Sequence, residues 1–315
     1  MSTTIHTIRL RSSAHFGGKV PPGPLGTVLQ VLPAAVRRTV LMAVQGRSIA
    51  RGTSPTWLSA ASDVRLVDYA SKDDTILKLE SPRLGDVAPE LYEQKQFWPT
   101  LPAPQDTGID LLADVLADLA AGNLDSERFD QPLLRQLTRF EGALEHGFEA
   151  IEVLPQRRPT GQPSRLDRSV LEIAERFCAA TPPPERVRLA GTLDMVRAST
   201  RTFGIRLEQG EELRGVLLEE DIHKIAPLLG KQVLVLGRVQ YKPSGRALRI
   251  DAEEVKPAHG DVSLWSRIPP ARGQPINAST LRRPQGPRSG LAAVIGRWPG
   301  DESDHEIEAW LEEIS

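Results

Sequence analysis

Disulfides are the first thing this chain cannot have. It carries one cysteine, Cys178, in 315 residues, so no internal disulfide framework exists, and the usage fits a reducing compartment. Net charge is almost absent too. Lys and Arg number 39 against 41 Asp and Glu, a formal balance of −2, so no global field draws in nucleic acid or an anionic membrane, and such binding needs a local patch. The N-terminal stretch MSTTIHTIRLRSS has no apolar core of the kind a secretory signal requires. No unbroken apolar run approaches the ~18 residues that suggest a membrane span. The expectation is a cytoplasmic protein, and the Arg-, Ala- and Pro-rich usage fits a high-GC bacterium.

Catalytic signatures are missing as well. The sequence holds no phosphate loop GxxxxGK[ST], no GxGxxG, HExxH, CxxC or GxSxG, each of which encodes a particular chemistry. The six histidines, His6, His15, His146, His223, His259 and His305, are scattered without metal-ligand spacing and read as surface or loop residues. Cys178, next to Phe177 in a helical pattern, reads as core rather than nucleophile. Lys72, Asp73 and Asp74 have the look of a metal site, but a hairpin turn explains them better. The expectation is a protein without enzymatic activity, cofactor or metal.

The elements that are present predict an α+β chain. Thr3 to Arg11, around Ile5, Ile8 and Leu10, reads as a strand. Apolar residues at helical spacing follow from Leu25 to Val44, with Pro33 expected to kink or divide them. Val64 to Tyr69 and Ile76 to Leu79, separated by a short polar turn, read as a β-hairpin. This β-α-β-β unit defines an α/β segment over 1–100. Residues 101–184 read as helical, with Ile109 to Ala121, Pro132 to Ala150 and Leu166 to Ala179 as helices, the last capped by Ser164 or Asp167.

Residues 185–257 form the clearest module. The order β-β-β-α-β-β, with glycines Gly191 and Gly237 in its first and fourth strands, predicts a small OB-like five-stranded barrel. Another small antiparallel barrel or sandwich is the alternative. With Val187, Leu189, Phe203, Ile205, Leu207, Leu213, Val233, Val235, Val239, Leu248 and Ile250 inward, the outward phase carries one arginine per strand: Arg188, Arg206, Arg214, Arg238 and Arg249. That is a possible nucleic-acid face. It lacks the aromatic residues that supply roughly 1–3 kcal/mol of stacking per base, and Glu208, Glu212 and Asp251 are available to pair with it, so the expected nucleic-acid binding is weak or nil.

Residues 258–295 are rich in Pro, Gly and Arg, with Arg267, Arg272, Arg282, Arg283 and Arg288, and read as a disordered basic linker. The chain then ends in an acidic helix over 296–315. Ser303 and Glu306 form a capping box, and Asp301, Glu302 and Asp304 add negative charge at its start. Ile307, Trp310, Leu311 and Ile314 make one apolar stripe. So short a helix is marginal alone in water, so the stripe must bury against this chain's own body or in a partner's groove.

The stretch Gly296, Arg297, Trp298, Pro299, Gly300, Asp301, Glu302 and the helix after it resemble the C-terminal tails of bacterial antitoxins paired with PIN-domain ribonuclease toxins. The likeness spans about 25 residues. The body departs from such antitoxins, which usually carry a compact DNA-binding domain, and resembles instead uncharacterised bacterial proteins with an OB-like domain. What the tail implies is an inhibitor. Arg297 would enter the carboxylate cluster of the nuclease, Trp298, Ile307, Trp310, Leu311 and Ile314 would anchor, and Asp301, Glu302 and the acidic helix would lie along the basic RNA path. The alternative is an OB-like nucleic-acid-binding protein whose acidic tail recruits protein partners.

Overall fold

The computed structural model describes residues 2–16, 19–50, 54–71, 73–92, 102–154, 163–208, 210–218, 222–260 and 262–271. The chain divides into two units, Met1–Gln274 and Pro275–Ser315. The second unit, which carries every proposed toxin-binding residue, lies outside the described residues. The first unit is mixed α+β and contains an antiparallel sheet with helices packed on it and a closed five-stranded barrel.

The sheet is built from β1 (Thr3–Arg11), β2 (Arg65–Ser71), β3 (Thr75–Pro82), β4 (Ala150–Leu154) and β5 (Ser164–Asp167), in the order β2-β3-β1-β4-β5. All its pairings are antiparallel. The expected hairpin is β2–β3. Strands β4 and β5 correct the all-helical reading of 101–184, because that segment completes the same sheet as β1. Alanine and glutamate in Ala150–Leu154 hid a strand that is buried along nearly its whole length, where no polar alternation is needed.

The helices pack on this sheet: α1 (Pro22–Gln45), α2 (Thr56–Ala61), the short turn α3 (Leu84–Val87), α4 (Gly108–Ala120), α5 (Gln131–Thr138), α6 (Glu141–His146) and α7 (Arg168–Ala180). Helix α1 runs as one helix through Pro33, so of the two expected outcomes, a kink or a division, the division does not occur. Val28, Leu32, Ala35, Val36 and Val40 are buried beneath α4, α5 and α6, and that packing outweighs the backbone bond a proline removes. By length and apolar composition α1 is also able to cross a membrane, which the reading of short apolar runs overlooked. In this fold it is the core helix. The expected Pro132 to Ala150 helix is divided into α5 and α6. Asp167 caps α7, accepting from Val170 N, and Thr107 caps α4 in a capping box with Asp110.

The barrel comprises β6 (Glu185–Arg197), β7 (Thr202–Arg206), β8 (Glu212–Leu217), β9 (Gln232–Tyr241) and β10 (Ala247–Pro257), with the one-turn helix α8 (Ile222–Ile225) between its third and fourth strands. The circular order is β6-β7-β8-β10-β9. In barrel numbering this is 1-2-3-5-4, with β8 and β10 parallel and the other pairs antiparallel. That arrangement is compatible with an OB-like fold. The two strand glycines sit where backbones close in. A Cβ on Gly191 would stand 2.7 Å from the Arg206 carbonyl oxygen, and one on Gly237 only 2.4 Å from that of Asp251.

Ten of the eleven residues expected inward line the barrel core. Leu248 does not. It packs into the core of the sheet body. The cause is a β-bulge: Ala247 pairs with Tyr241 and Arg249 with Gln240, leaving Leu248 as the extra residue. A bulge breaks the two-residue period, so Leu248 and Arg249 both leave the barrel and reach the sheet body. The chain after β10 also differs from the expected linker. Val262 and Ala271 are buried, and Ile268 packs on the barrel core. Ala258 N donates to Gln232 O, and Ser266 Oγ to Glu208 Oε2 at 2.6 Å. The linker therefore starts no earlier than residue 272; residues 272–295 lie outside the described residues.

Candidate functional site

The five outward arginines do not form one face. Arg188 and Arg206 are exposed. Arg238 is exposed with its Nε 3.8 Å from Glu253 Oε1, and Arg186 holds the same carboxylate at 2.8 Å. Arg214 and Arg249 instead point at the sheet body, correcting the reading of a continuous solvent-facing patch. Period-two alternation predicts that a side chain leaves the barrel, but it is silent on what waits outside.

Arg249 is buried in the joint between barrel and sheet body. Its Nη1 donates to Gly46 O at 2.8 Å and to Asp130 Oδ2 at 3.2 Å, and its Nε to Asp251 Oδ1 at 2.9 Å. Asp130 also accepts from Ser48 N and Ser48 Oγ, and from Leu133 N as the N-cap of α5. Both oxygens of Asp130 and the Nε and Nη1 of Arg249 are thus hydrogen-bonded, the kind of satisfaction under which a buried ion pair is tolerated. Alongside it, the β9–β10 turn docks on an acidic loop. Lys242 Nζ donates to Glu127 Oε1 at 3.1 Å, Ser244 Oγ to Asp125 Oδ1 at 2.6 Å, and Arg246 Nη1 lies 3.8 Å from Asp125 Oδ2.

Next to this joint are two cavities of about 500 and 580 Å³, both lined by Arg214, Glu127 and Met42. Lys242, Arg246, Asp194 and Glu212 line the first, and Asp114, Asp118 and Arg128 the second. The Arg214 guanidinium, half-buried on β8, makes no hydrogen bond or ion pair with any described residue. Burial holds its pKa below the ordinary arginine value. Glu127 opposes that shift and the neighbouring Arg249 charge adds to it. Arg197 is shifted the same way by burial and by Arg214. On the far side of the joint a cavity of about 230 Å³ is lined by Arg47, Gln240 and Tyr241. The buried Tyr241 hydroxyl has no hydrogen-bond partner among the described residues, and burial, reinforced by Glu185, pushes the phenol up to about 12.

One histidine breaks the surface expectation. His6 is fully buried on β1, in phase with Ile8 and Leu10, while Ile5 stands on the opposite, exposed phase. The Thr107 hydroxyl donates to Asp110 Oδ2 at 2.8 Å and lies 2.9 Å from His6 Nε2. With the Thr107 proton engaged, His6 Nε2 is the donor in that contact. His6 Nδ1 and Asp110 Oδ1, 3.9 Å apart, are then left without hydrogen-bond partners among the described residues. Burial lowers the His6 pKa and Asp110 pulls it back up. Although the three side chains have the composition of a Thr-His-Asp triad, His6 and Thr107 are wholly enclosed, and a nucleophile must meet its substrate. Their role is to fix the start of α4 against β1.

The remaining sequence candidates are placed as follows. Asp74 pairs with Arg11 at 3.2 Å and Arg9 at 3.8 Å at the β2–β3 turn. Cys178 packs against the core of the sheet body. Among the described residues no cluster of three or more His, Cys, Asp or Glu is placed to hold a metal ion. No protein-family model, curated protein or solved structure matches the chain.

Proposed function

We propose that this chain is an antitoxin-like protein that inhibits a PIN-domain ribonuclease through residues 296–315. The observation that favours this over a nucleic-acid role for the barrel is the engagement of several of its basic groups within the chain. Arg249 is held by Asp130 and Asp251, Lys242 by Glu127 and Arg238 by Glu253. Such groups have little charge left for phosphates, so the acidic, Trp-bearing C-terminal segment is the better partner-binding element. In this reading Arg297 enters the nuclease carboxylates, Trp310 and Leu311 anchor in a groove, and the folded unit serves as the carrier. The test pairs calorimetry with RNA-cleavage assays, using a PIN-domain ribonuclease encoded beside this chain. Removing 297–315 should abolish binding. Trp310→Ala should weaken it by about 2 kcal/mol, the scale of a central aromatic anchor. Arg297→Ala should relieve inhibition of cleavage more than it weakens binding. A tail-deleted protein that still silences the nuclease would put the inhibitory surface elsewhere.

The 1-2-3-5-4 strand order, with Arg188 and Arg206 exposed, favours a second reading, an OB-like nucleic-acid-binding protein whose acidic tail recruits partners. Fluorescence titration with single-stranded oligonucleotides separates the two. The first reading expects weak binding that falls steeply with salt, whereas tight, salt-tolerant binding supports the second.

A further inference from the structure

Arg214 is an expensive residue with no visible return. A guanidinium carries five N–H donors and stays charged, and withdrawing it from water without partners is costly. Its charged neighbours Lys242, Arg246 and Arg249 all face carboxylates within 4 Å. Arg214 has none among the described residues, and the nearby Arg249 charge makes its place less favourable still. The chain nevertheless shapes itself around this side chain. Gly46 ends α1 in the left-handed conformation, φ 73°, and a Cβ there would stand 2.9 Å from Arg214 Cδ and 3.0 Å from Nη1. The stem is therefore clamped against backbone while the guanidinium faces open space.

That space has a definite chemistry. In the 500 Å³ cavity, Lys242 and Arg246 lie on the same wall system as Arg214; Lys242 is buried and held by Glu127, whereas Arg246 is exposed and only 3.8 Å from the exposed Asp125. Arg246 can turn from its surface carboxylate to a bound anion at small cost, since exposed ion pairs are weak. Two guanidiniums, Arg214 and Arg246, suit a phosphate dianion, which each can grip in bidentate fashion. Asp194, Glu211 and Glu212 also line the cavity. Their charge opposes any anion, which limits the ligand to the single phosphate that the arginines hold, and they accept hydrogen bonds from hydroxyl groups, while Met42, Met195 and Leu248 supply apolar surface.

We propose that the cleft between the barrel and the sheet body binds a phosphate monoester that also carries hydroxyl groups, of the class of a nucleoside monophosphate or sugar phosphate, with Arg214 as the residue that holds the phosphate. The lining comes entirely from residues up to 248, so the site stands whether or not the C-terminal segment binds a nuclease.

The test uses the full chain, wild type and Arg214→Gln, titrated by calorimetry and thermal unfolding with inorganic phosphate, a nucleoside 5′-monophosphate and a single-stranded 12-mer lacking terminal phosphates. Saturable binding of the monophosphate to wild type, tighter than inorganic phosphate and weakened at least tenfold in Arg214→Gln, supports the site. Without ligand, Arg214→Gln should unfold at no lower temperature than wild type, because no protein partner is lost. If that variant does not fold, Arg214→Lys, which keeps charge but not the bidentate fork, is read instead, again with at least a tenfold loss expected. Equal binding by wild type and variant, or no binding of the monophosphate, overturns the proposal. Binding of the 12-mer alone also overturns it, in favour of a nucleic-acid strand in the cleft.

Discussion

His6 shows how a single buried ring makes stability depend on pH. Its pKa lies below the ordinary value of 6.5 because burial disfavours the charged form. The unfolded chain therefore binds more protons than the folded chain once the pH drops below about 6.5, and stability falls with pH in that window. The contribution is fully present above 6.5 and is lost as pH descends toward the folded value. Thermal unfolding followed from pH 7.5 to 5 should show a falling Tm, and His6→Gln should flatten that slope. An unchanged slope would assign it to other groups. The lowered carboxyls of Asp167 and Glu149 act at lower pH, below their ordinary values near 4, and do not blur the test. Gly46 is the second residue with a sharp expectation. Gly46→Ala meets both a left-handed backbone and the Arg214 stem, so it should lower the urea midpoint by the equivalent of about 1–3 kcal/mol.

At the scale of elements, the joint between β10 and α5 concentrates the energetics. Asp130 caps α5 and receives Arg249. Asp130→Ala removes the cap and leaves the buried guanidinium short of its carboxylate, and breaking a buried pair from one side costs about 3–5 kcal/mol. Replacing all three buried charges, Asp130→Leu with Arg249→Met and Asp251→Asn, should cost less than Asp130→Ala alone, because Asp251 pairs with the same guanidinium and no charge is then left uncompensated. Chemical denaturation of the two variants decides. A triple variant weaker than the single one would mean that the charged cluster adds net stability beyond satisfying itself. The bulge at Leu248 matters for the same joint, since it sends two consecutive side chains, Leu248 and Arg249, across to the sheet body.

For the whole molecule, the sheet body and barrel share core and polar contacts, although the sequence suggested separable segments. Leu248 lies in the sheet body's core, and Arg249, Lys242 and Ser244 are tied to Gly46, Asp130, Glu127 and Asp125. Buried contacts across a boundary couple unfolding on its two sides. Calorimetry on residues 1–274 should give one cooperative transition, and Asp130→Ala should separate it into two or broaden it. Two resolved transitions in the unaltered chain would show that the joint is too weak to couple them.

Where local patterns carry the information, the chain alone was enough. The barrel limits 185–257 match β6 to β10 because alternating apolar residues, turn glycines and a short interrupting helix are nearest-neighbour signals. Strand β1, the β2–β3 hairpin and the Asp167 cap were legible for the same reason. Even His6 was readable, since residues 6, 8 and 10 share a phase, but its polarity argued for the surface until Thr107 and Asp110 supplied partners from a hundred residues away. The packed segment after β10 also had a signal, Val262, Trp265, Ile268 and Ala271 at intervals of three, drowned by the prolines around it. Strands β4 and β5 depended on β1 already being in place to pair with β4. The cleft around Arg214 belongs to tertiary structure alone: the sequence places an arginine on a strand, and only the docking of Gly46 and the acidic loop against the barrel turns that outward residue into a clamped cation beside two cavities.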